Sequence, residues 1–273
     1  LNTYEIWLTA DDLAGLPEGV VEAAALAAKE KGRAGEYLFT LAQPTYMAFM
    51  KYSDRRDLRE KMYRLYTGRN QKGEFNNLDI ICQITDKRRQ LANLLGYDTY
   101  ADYSLVNTMA ENPANVYKLL NELRDAYRPA QQKEFDEINA FASKLQGSDF
   151  EIQPWDYSYY ANKLKQSKYD YDEEALRPYF ELNNVIEGVF GLATKLYGLT
   201  FVENKQIPTY HPDVKAFEVK DRDGSYLGVI YTDFFPRESK SPGAWMTEFK
   251  PQWIDADGNN SRPHVSVVMN FTK

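Results

Sequence analysis

Two different hydrophobic periods divide the chain at about Gly198. Before this residue, apolar side chains recur at intervals of three and four, as in amphipathic helices, and glycine or proline stands near the segment ends. After it, the apolar runs are shorter and favour β-strands. The pattern predicts a mainly α protein (α+β), with a helical N-terminal two-thirds followed by a small, mostly antiparallel β-sheet. The predicted division is 1–198, helical, and 199–273, strand-rich.

Start and stop signals place several elements more closely. Pro44 at a first helical position and Gly68 near an end predict one long helix between them. Asn112 and Pro113 open another helix, which Pro129 is expected to kink or interrupt. The predicted strands are 199–202, 216–219, 226–232, 244–249 and 264–271, with hairpin turns at 221–224 and 255–258.

The stretch YTDFFPRESKSPGAWM, residues 231–246, carries the clearest functional hint. Pro242 has no backbone donor, so it belongs on an edge strand or at a strand start. Gly243 and Ala244 are small enough to leave that edge bare, so an extended peptide could pair with its main chain, while Trp245 alternates toward the core. The alternative is an ordinary surface hairpin with a glycine bend.

Composition narrows the class of protein. The chain has 273 residues, of which 27% are charged and 43% hydrophobic, as in a globular protein. Its net charge of −7 argues against binding to nucleic acid. No apolar run approaches the ~18 residues that a membrane-spanning helix needs. The N-terminus lacks an initiator Met and a signal peptide, which suggests that an upstream piece has been removed. The cytoplasm is the favoured cellular location, and a secreted or periplasmic location is the alternative.

Two smaller features have structural interpretations. Cys82 stands alone in an apolar run, which predicts a buried structural thiol and no intrachain disulfide. A group of arginines between Pro44 and Gly68 could form a basic patch, but nearby carboxylates favour a solvated, ion-paired face. The arginines are Arg55, Arg56, Arg59 and Arg64, and the carboxylates are Asp54, Asp57 and Glu60.

Several blocks of sequence resemble one family of zinc peptidases. These are YSDRRDLREKMYRLYTGR, LANLLGYDTYADYSL, PWDYSYYANKL, LRPYFELNNVIEGVFGLATKLYGL and FFPRESKSPGAWM, in that order. The family is that of thimet oligopeptidase, oligopeptidase A and dipeptidyl carboxypeptidase, and the GAWM ending is most similar to the dipeptidyl carboxypeptidase branch. The resemblance implies that residues 231–246 include an edge strand beside the active-site channel. It also implies a later zinc helix carrying His-Glu-x-x-His, which these 273 residues do not contain.

The resemblance therefore implies a fragment of a zinc metallopeptidase that hydrolyses short peptides and releases C-terminal dipeptides. Residues 1–198 would form a wall of the substrate channel, and Gly243, Ala244 and Trp245 would bind substrate. The expected cofactor is zinc in the full-length enzyme and none in this fragment, which is predicted to be inactive. The alternative is a non-catalytic helical module that binds peptides or serves as a scaffold.

Candidate chemistry within the chain is sparse. His211 and His264 are the two histidines, and neither is followed by Glu, so no metal ligand or catalytic residue is predicted. Asp233 and Glu238 could be imagined as an acid pair, but ion pairing with Arg237 and Lys240 is favoured. The expected partners are short peptides, without nucleic acid or membrane. Self-association is also predicted, through sheet residues left uncovered by truncation: Trp245, Trp253, Val267, Met269 and Phe271.

Overall fold

The fold is helical in its first two-thirds and ends in a mixed sheet. The computed structural model describes residues 4–147, 149–170, 173–237, 239–241 and 243–271. Its α-helices are α1 (Glu18–Glu30), α2 (Gln43–Tyr52), α3 (Arg56–Thr67), α4 (Leu78–Leu94), α5 (Tyr100–Leu105), α6 (Pro113–Gln146), α7 (Tyr157–Tyr169) and α8 (Leu182–Tyr197). Its strands are β1 (Glu5–Leu8), β2 (Tyr37–Thr40), β3 (Thr200–Glu203), β4 (Lys215–Lys220), β5 (Tyr226–Asp233), β6 (Trp245–Lys250), β7 (Trp253–Ile254), β8 (Asn260–Ser261) and β9 (His264–Val268). The predicted fold class is confirmed.

The chain divides into two compact units. One comprises residues 1–54 together with 168–273, and the other comprises residues 55–167. The first unit contains the antiparallel pair β1–β2 and the C-terminal sheet. The second unit is helical and has its own apolar core, in which Ile138 and Ala142 of α6 meet Tyr159 and Tyr160 of α7. The predicted boundary at residue 198 marks the change from helix to strand and does not coincide with this division.

One helix predicted from the sequence is divided into two helices in the structure. The expected helix from Pro44 to Gly68 breaks after α2 and resumes at α3. Ser53 takes an extended conformation with φ −61° and ψ 126°, and the N–H of Asp54 donates to the carbonyl of Ala14 at 2.9 Å. This long-range bond replaces a helical one. The sequence gives no warning because no glycine or proline stands at the break.

Pro129 does not interrupt its helix. Helix α6 runs from Pro113 to Gln146 with Pro129 inside it, so the interruption is wrong, while a kink at Pro129 stays a prediction. Proline removes one backbone donor and crowds the preceding turn. Long helical segments on both sides retain their own hydrogen bonds, and Asn112 caps the start by accepting from the N–H of Asn115 at 3.0 Å.

Cys82 is exposed rather than buried, so that expectation is also wrong. Its neighbours Ile80 and Ile81 on α4 are exposed as well. Apolar character alone predicted burial here, but no described residue buries these side chains.

Among the described residues, no helix is both long and apolar enough to cross a membrane.

The arginines of α3 are ion-paired, but not all on a solvated face. Arg55 pairs with Asp57, and Arg64 with Glu60, as predicted. Arg56 and Arg59 instead bind Asp156, just before α7. The Arg59 side chain is 1% exposed and that of Asp156 is fully buried. The prediction of a solvated face is therefore wrong for Arg59.

The C-terminal sheet has the order β3-β4-β5-β9-β6. The pairs β3–β4, β4–β5 and β9–β6 are antiparallel, whereas β5 and β9 are parallel. The predicted turn at 221–224 joins β4 to β5, with the N–H of Asp221 donating to Ser225 O at 2.9 Å. The turn at 255–258 joins the short pair β7–β8, two strands that the sequence pattern did not predict. Strands 226–232, 244–249 and 264–271 share one sheet, as expected.

Candidate substrate-binding edge

Strand β6 lies at the edge of the five-stranded sheet. Among the described residues its sheet partner is β9 alone, with Trp245 opposite Val268 and Thr247 opposite Ser266. In an antiparallel pair, alternate residues direct their N–H and C=O groups away from the partner strand. The outer side of β6 therefore presents backbone groups to which an extended peptide could pair.

Gly243 and Ala244 lie immediately before this strand. Both are exposed, and β6 itself begins at Trp245, one residue later than predicted. Gly243 has φ +105°, a backbone conformation that residues other than glycine rarely adopt. A Cβ placed there would meet no atom within 4 Å. Pro242, predicted to open the strand, lies outside the described residues. The approach to the edge is thus open at these two small residues.

The faces of β6 differ in exposure. Trp245 and Thr247 are half-buried, whereas Met246 is 65% exposed. The ring of Phe249 contacts the rings of Tyr231 and Tyr210 at centroid distances of 5.7 and 5.9 Å. Alternation along the strand puts Trp245 and Thr247 on one face, and the pairing register shifts between Glu248 and Lys250, at Phe249. The half-buried position of Trp245 agrees with its predicted turn toward the core.

A buried ion cluster holds the segment between β5 and β6. Asp233, the last residue of β5, accepts from Arg237 Nη1 and Nη2 at 2.8 and 2.9 Å, and from Lys240 Nζ at 2.9 Å. The hydroxyl of Tyr210 donates to the same carboxylate at 2.9 Å. The predicted ion pairing of Arg237 and Lys240 is confirmed, while Glu238 lies outside the described residues.

Lys240 is the inner anchor of this cluster. Its side chain is 2% exposed, as is that of Asp233. Its ammonium also donates to the carbonyls of Asp233 and Phe235 at 2.9 and 2.8 Å. A buried ammonium is stable only when its three N–H donors have acceptors. Here the acceptors are these two carbonyls and the Asp233 carboxylate.

The cluster shifts two pKa values in opposite directions. Burial alone would raise the pKa of Asp233, but hydrogen bonds from Arg237, Lys240 and Tyr210 outweigh it and lower the pKa to about 2. Burial and the hydrogen bond to the Asp233 carboxylate raise the pKa of Tyr210 to about 12. Asp233 is therefore ionised and Tyr210 protonated at neutral pH, so both serve the cluster as structural groups.

Asn270 fastens the other end of the segment. Its Nδ2 donates to the carbonyl of Ser241 at 3.1 Å and to that of Gly243 at 2.7 Å. The residue follows β9, whose path beside β6 brings the amide to the start of the edge strand. Asn270 could not be predicted from the sequence, because a lone asparagine after a strand carries no signal of the carbonyls that it will contact.

The two histidines have different local partners. His211 lies in the loop before β4, where its Nδ1 accepts from the N–H of Asp213 at 3.2 Å. His264 opens β9, its ring 6.3 Å from that of Tyr231. Burial and the charge of Lys250 lower the pKa of His264. Both histidines have local roles in the described structure.

The chain belongs to peptidase family M3, whose model matches residues 49–273. It is 40% identical over 267 residues to oligopeptidase A of Escherichia coli, covering 96% of this chain and 39% of the relative. It is 39% identical over 263 residues to dipeptidyl carboxypeptidase of the same organism, covering 96% and 38%. Saccharolysin of Saccharomyces cerevisiae is 29% identical over 281 residues, covering 98% and 39%. The chain thus spans about two-fifths of the length of these curated relatives.

These identities confirm the family resemblance but do not separate its branches, since the two Escherichia coli relatives are almost equally similar. Assignment to the dipeptidyl carboxypeptidase branch therefore stays a prediction.

Metallopeptidases of this family are zinc dependent. The residues that the structure describes do not fit that metal. The described part of the chain contains no group of three His, Cys, Asp or Glu side chains that could hold an ion, and a mononuclear zinc site needs at least three protein ligands. No step of zinc chemistry can be derived from these side chains.

Proposed function

We propose that the intact protein is a zinc metallopeptidase of the oligopeptidase or peptidyl-dipeptidase type, acting on short peptides. In it, residues 1–198 form a wall of the substrate channel and the edge at Gly243, Ala244 and Trp245 binds the substrate. Residues outside these 273 supply the zinc ligands. Membership of family M3 supports the class of reaction.

The observation that carries the local role is the exposed edge at β6. An added peptide strand gains affinity from main-chain hydrogen bonds, whatever its side chains are. That suits an enzyme that accepts many short peptides. Gly243 and Ala244 keep side-chain bulk away from the place where such a peptide would arrive, and half-buried Trp245 ties the strand to the sheet.

Activity and metal content test the class of protein. The intact protein is expected to contain one zinc ion per chain and to hydrolyse short peptides, whereas the 273-residue chain alone is expected to do neither. Mass spectrometry of the products checks for released C-terminal dipeptides. An intact protein that binds peptides without zinc or turnover would instead be the non-catalytic peptide-binding or scaffold module. Turnover by the 273-residue chain would contradict the assigned division of roles.

Two substitutions in the intact protein test the edge. Ala244→Val keeps β-propensity but adds two methyl groups, and Gly243→Val adds bulk where φ is positive. At least one should raise the Michaelis constant several-fold. Gly258→Val is a matched control, because Gly258 also has a positive φ, +81°, and open space around it, but lies in the β7–β8 turn. Wild-type kinetics in both edge variants, with unchanged melting temperature, would leave this stretch an ordinary hairpin.

A further inference from the structure

The segment between β5 and β6 is fastened at both ends, by the Asp233 cluster at its base and by Asn270 at its tip. We propose that Asn270 is a positioning residue for peptide binding: by holding the carbonyl of Gly243, it aims the N–H of Ala244 at the incoming peptide. This inference rests on the proposed function and names the backbone donor that the edge would use.

The direction of the Ala244 N–H follows from peptide geometry. The carbonyl of Gly243 and the N–H of Ala244 belong to one planar peptide unit, and in a trans unit they point in opposite directions. The described residues contain no cis peptide bond. The Gly243 carbonyl points to Asn270 at 2.7 Å, and Asn270 follows β9, the inner neighbour of β6. The N–H of Ala244 therefore points away from the β9 side, toward the outer edge.

Asn270 is itself held in place by the backbone on either side of it. The N–H of Met269 donates to the carbonyl of Asp233 at 2.8 Å, and the N–H of Phe271 donates to that of Phe234 at 2.8 Å. The amide of Asn270 is thus presented from a fixed segment. It can impose a direction on the more exposed residues that it contacts.

The hydrogen bond from Asn270 matters for peptide binding because its acceptor belongs to a flexible glycine, Gly243. Without a restraint, Gly243 has access to more backbone conformations than any other residue type, and the peptide unit that follows it could rotate. Fixing that unit before the peptide arrives removes an ordering cost from binding. Loss of the hold should therefore weaken peptide binding and leave the chemical step nearly unchanged.

Two variants of the intact protein separate hydrogen bonding from packing. Asn270→Asp keeps the size of the side chain but replaces the amide donors with a carboxylate, which repels both carbonyls. Asn270→Ala removes the donors and the bulk. Both should raise the Michaelis constant roughly three- to tenfold, with kcat changed less than twofold. A purely packing role would leave the Asp variant close to wild type.

Asn204→Ala is the matched control. The Nδ2 of Asn204 also donates a hydrogen bond, to Glu218 Oε1 at 2.8 Å, but it lies just after β3, at the opposite edge of the sheet from β6. The control variant should lower the melting temperature by an amount similar to Asn270→Ala without changing the Michaelis constant. Hydrogen exchange should rise at residues 243–245 in the Asn270 variants and not in the control.

Peptide affinity without turnover provides a second readout. The dissociation constant of a short fluorescein-labelled peptide, measured after a chelator has removed metal, should rise in the Asn270 variants by the same factor as the Michaelis constant. Wild-type affinity in both variants, while Ala244→Val weakens binding, would overturn the role of Asn270 and leave the proposed function standing. Wild-type affinity in all three variants would overturn both.

Discussion

Two buried aspartates, each bound by two cations, serve the molecule differently. Asp156 accepts hydrogen bonds from Arg56 and Arg59, which lie on a helix about a hundred residues earlier in the chain. Arg59 Nη2 lies 2.8 Å from Asp156 Oδ1. Asp233 receives Arg237 and Lys240 from the next few residues. The first cluster ties one helix to the start of another, and the second folds a short segment onto the end of its own strand.

The surroundings explain the division of labour. Arg59 also donates to the carbonyl of Trp155 at 3.2 Å and lies over the ring of Tyr159 at 4.0 Å, inside the helical unit. The Asp233 cluster lies at the base of the segment that leads to Gly243. The same chemistry thus fixes the packing of helices in one case and shapes the approach to a proposed binding edge in the other. Substitutions should distinguish the two.

The largest effect is expected for Asp156→Asn. It leaves the Arg59 guanidinium, 1% exposed, without its carboxylate partner. Breaking a buried pair typically costs about 3–5 kcal/mol, because the remaining charge stays buried. Denaturant unfolding should show a loss of this size. Glu60→Gln, which breaks the exposed pair with Arg64, is the control and should cost about 1 kcal/mol or less. Equal losses would show that burial does not set the difference.

An effect of up to the same size, but dependent on pH, is expected for Asp233→Asn. Because folding lowers the pKa of Asp233 from 3.8 to about 2, the ionised group stabilises the fold by about 2 kcal/mol at neutral pH. This contribution is complete above about pH 4 and is lost as the pH falls toward 2.

At pH 7 the Asn variant should therefore lose at least these roughly 2 kcal/mol, because Lys240, 2% exposed, also loses its carboxylate partner and keeps only the carbonyls of Asp233 and Phe235. It should also lack this part of the acid dependence. Unfolding measured from pH 7 down to pH 2 checks both statements. An acid dependence identical in the two proteins would contradict the assignment to Asp233.

The smallest effect is expected for Tyr210→Phe. It removes one hydrogen bond to the Asp233 carboxylate but leaves Arg237 and Lys240 in place. The expected loss is about 1 kcal/mol. The variant should also raise the pKa of Asp233 and move the acid transition to higher pH. Carboxyl titration by NMR measures that shift, and an unmoved pKa would remove Tyr210 from the cluster.

The same contrast shows what sequence could and could not reveal. Arg237 and Lys240 stand four and seven residues after Asp233, so their pairing could be predicted from local spacing. The partnership of Arg59 with Asp156 could not, because it depends on how distant helices pack. The break at Ser53 and the amide of Asn270 were missed for the same reason, since each depends on a carbonyl from another part of the chain.

The sheet was predicted in its strands but not in its order. Local alternation and turn residues located β4, β5, β6 and β9 to within a few residues. Alternation says nothing about which strands become neighbours, so the parallel pairing of β5 with β9 was not foreseen. The exposed run around Cys82 shows the converse error, in which apolar composition was taken as sufficient for burial.

The strand order also sets a sequence of events during folding. β6 precedes β9 in the chain, yet β9 lies between β5 and β6 in the sheet. During synthesis on the ribosome, β6 has no neighbour to join until residues 264–268 have emerged. Pairing of β5 with β9 must also close the intervening loop, which is slower than forming a hairpin. The edge proposed to hold substrate is therefore among the last parts of the sheet to assemble.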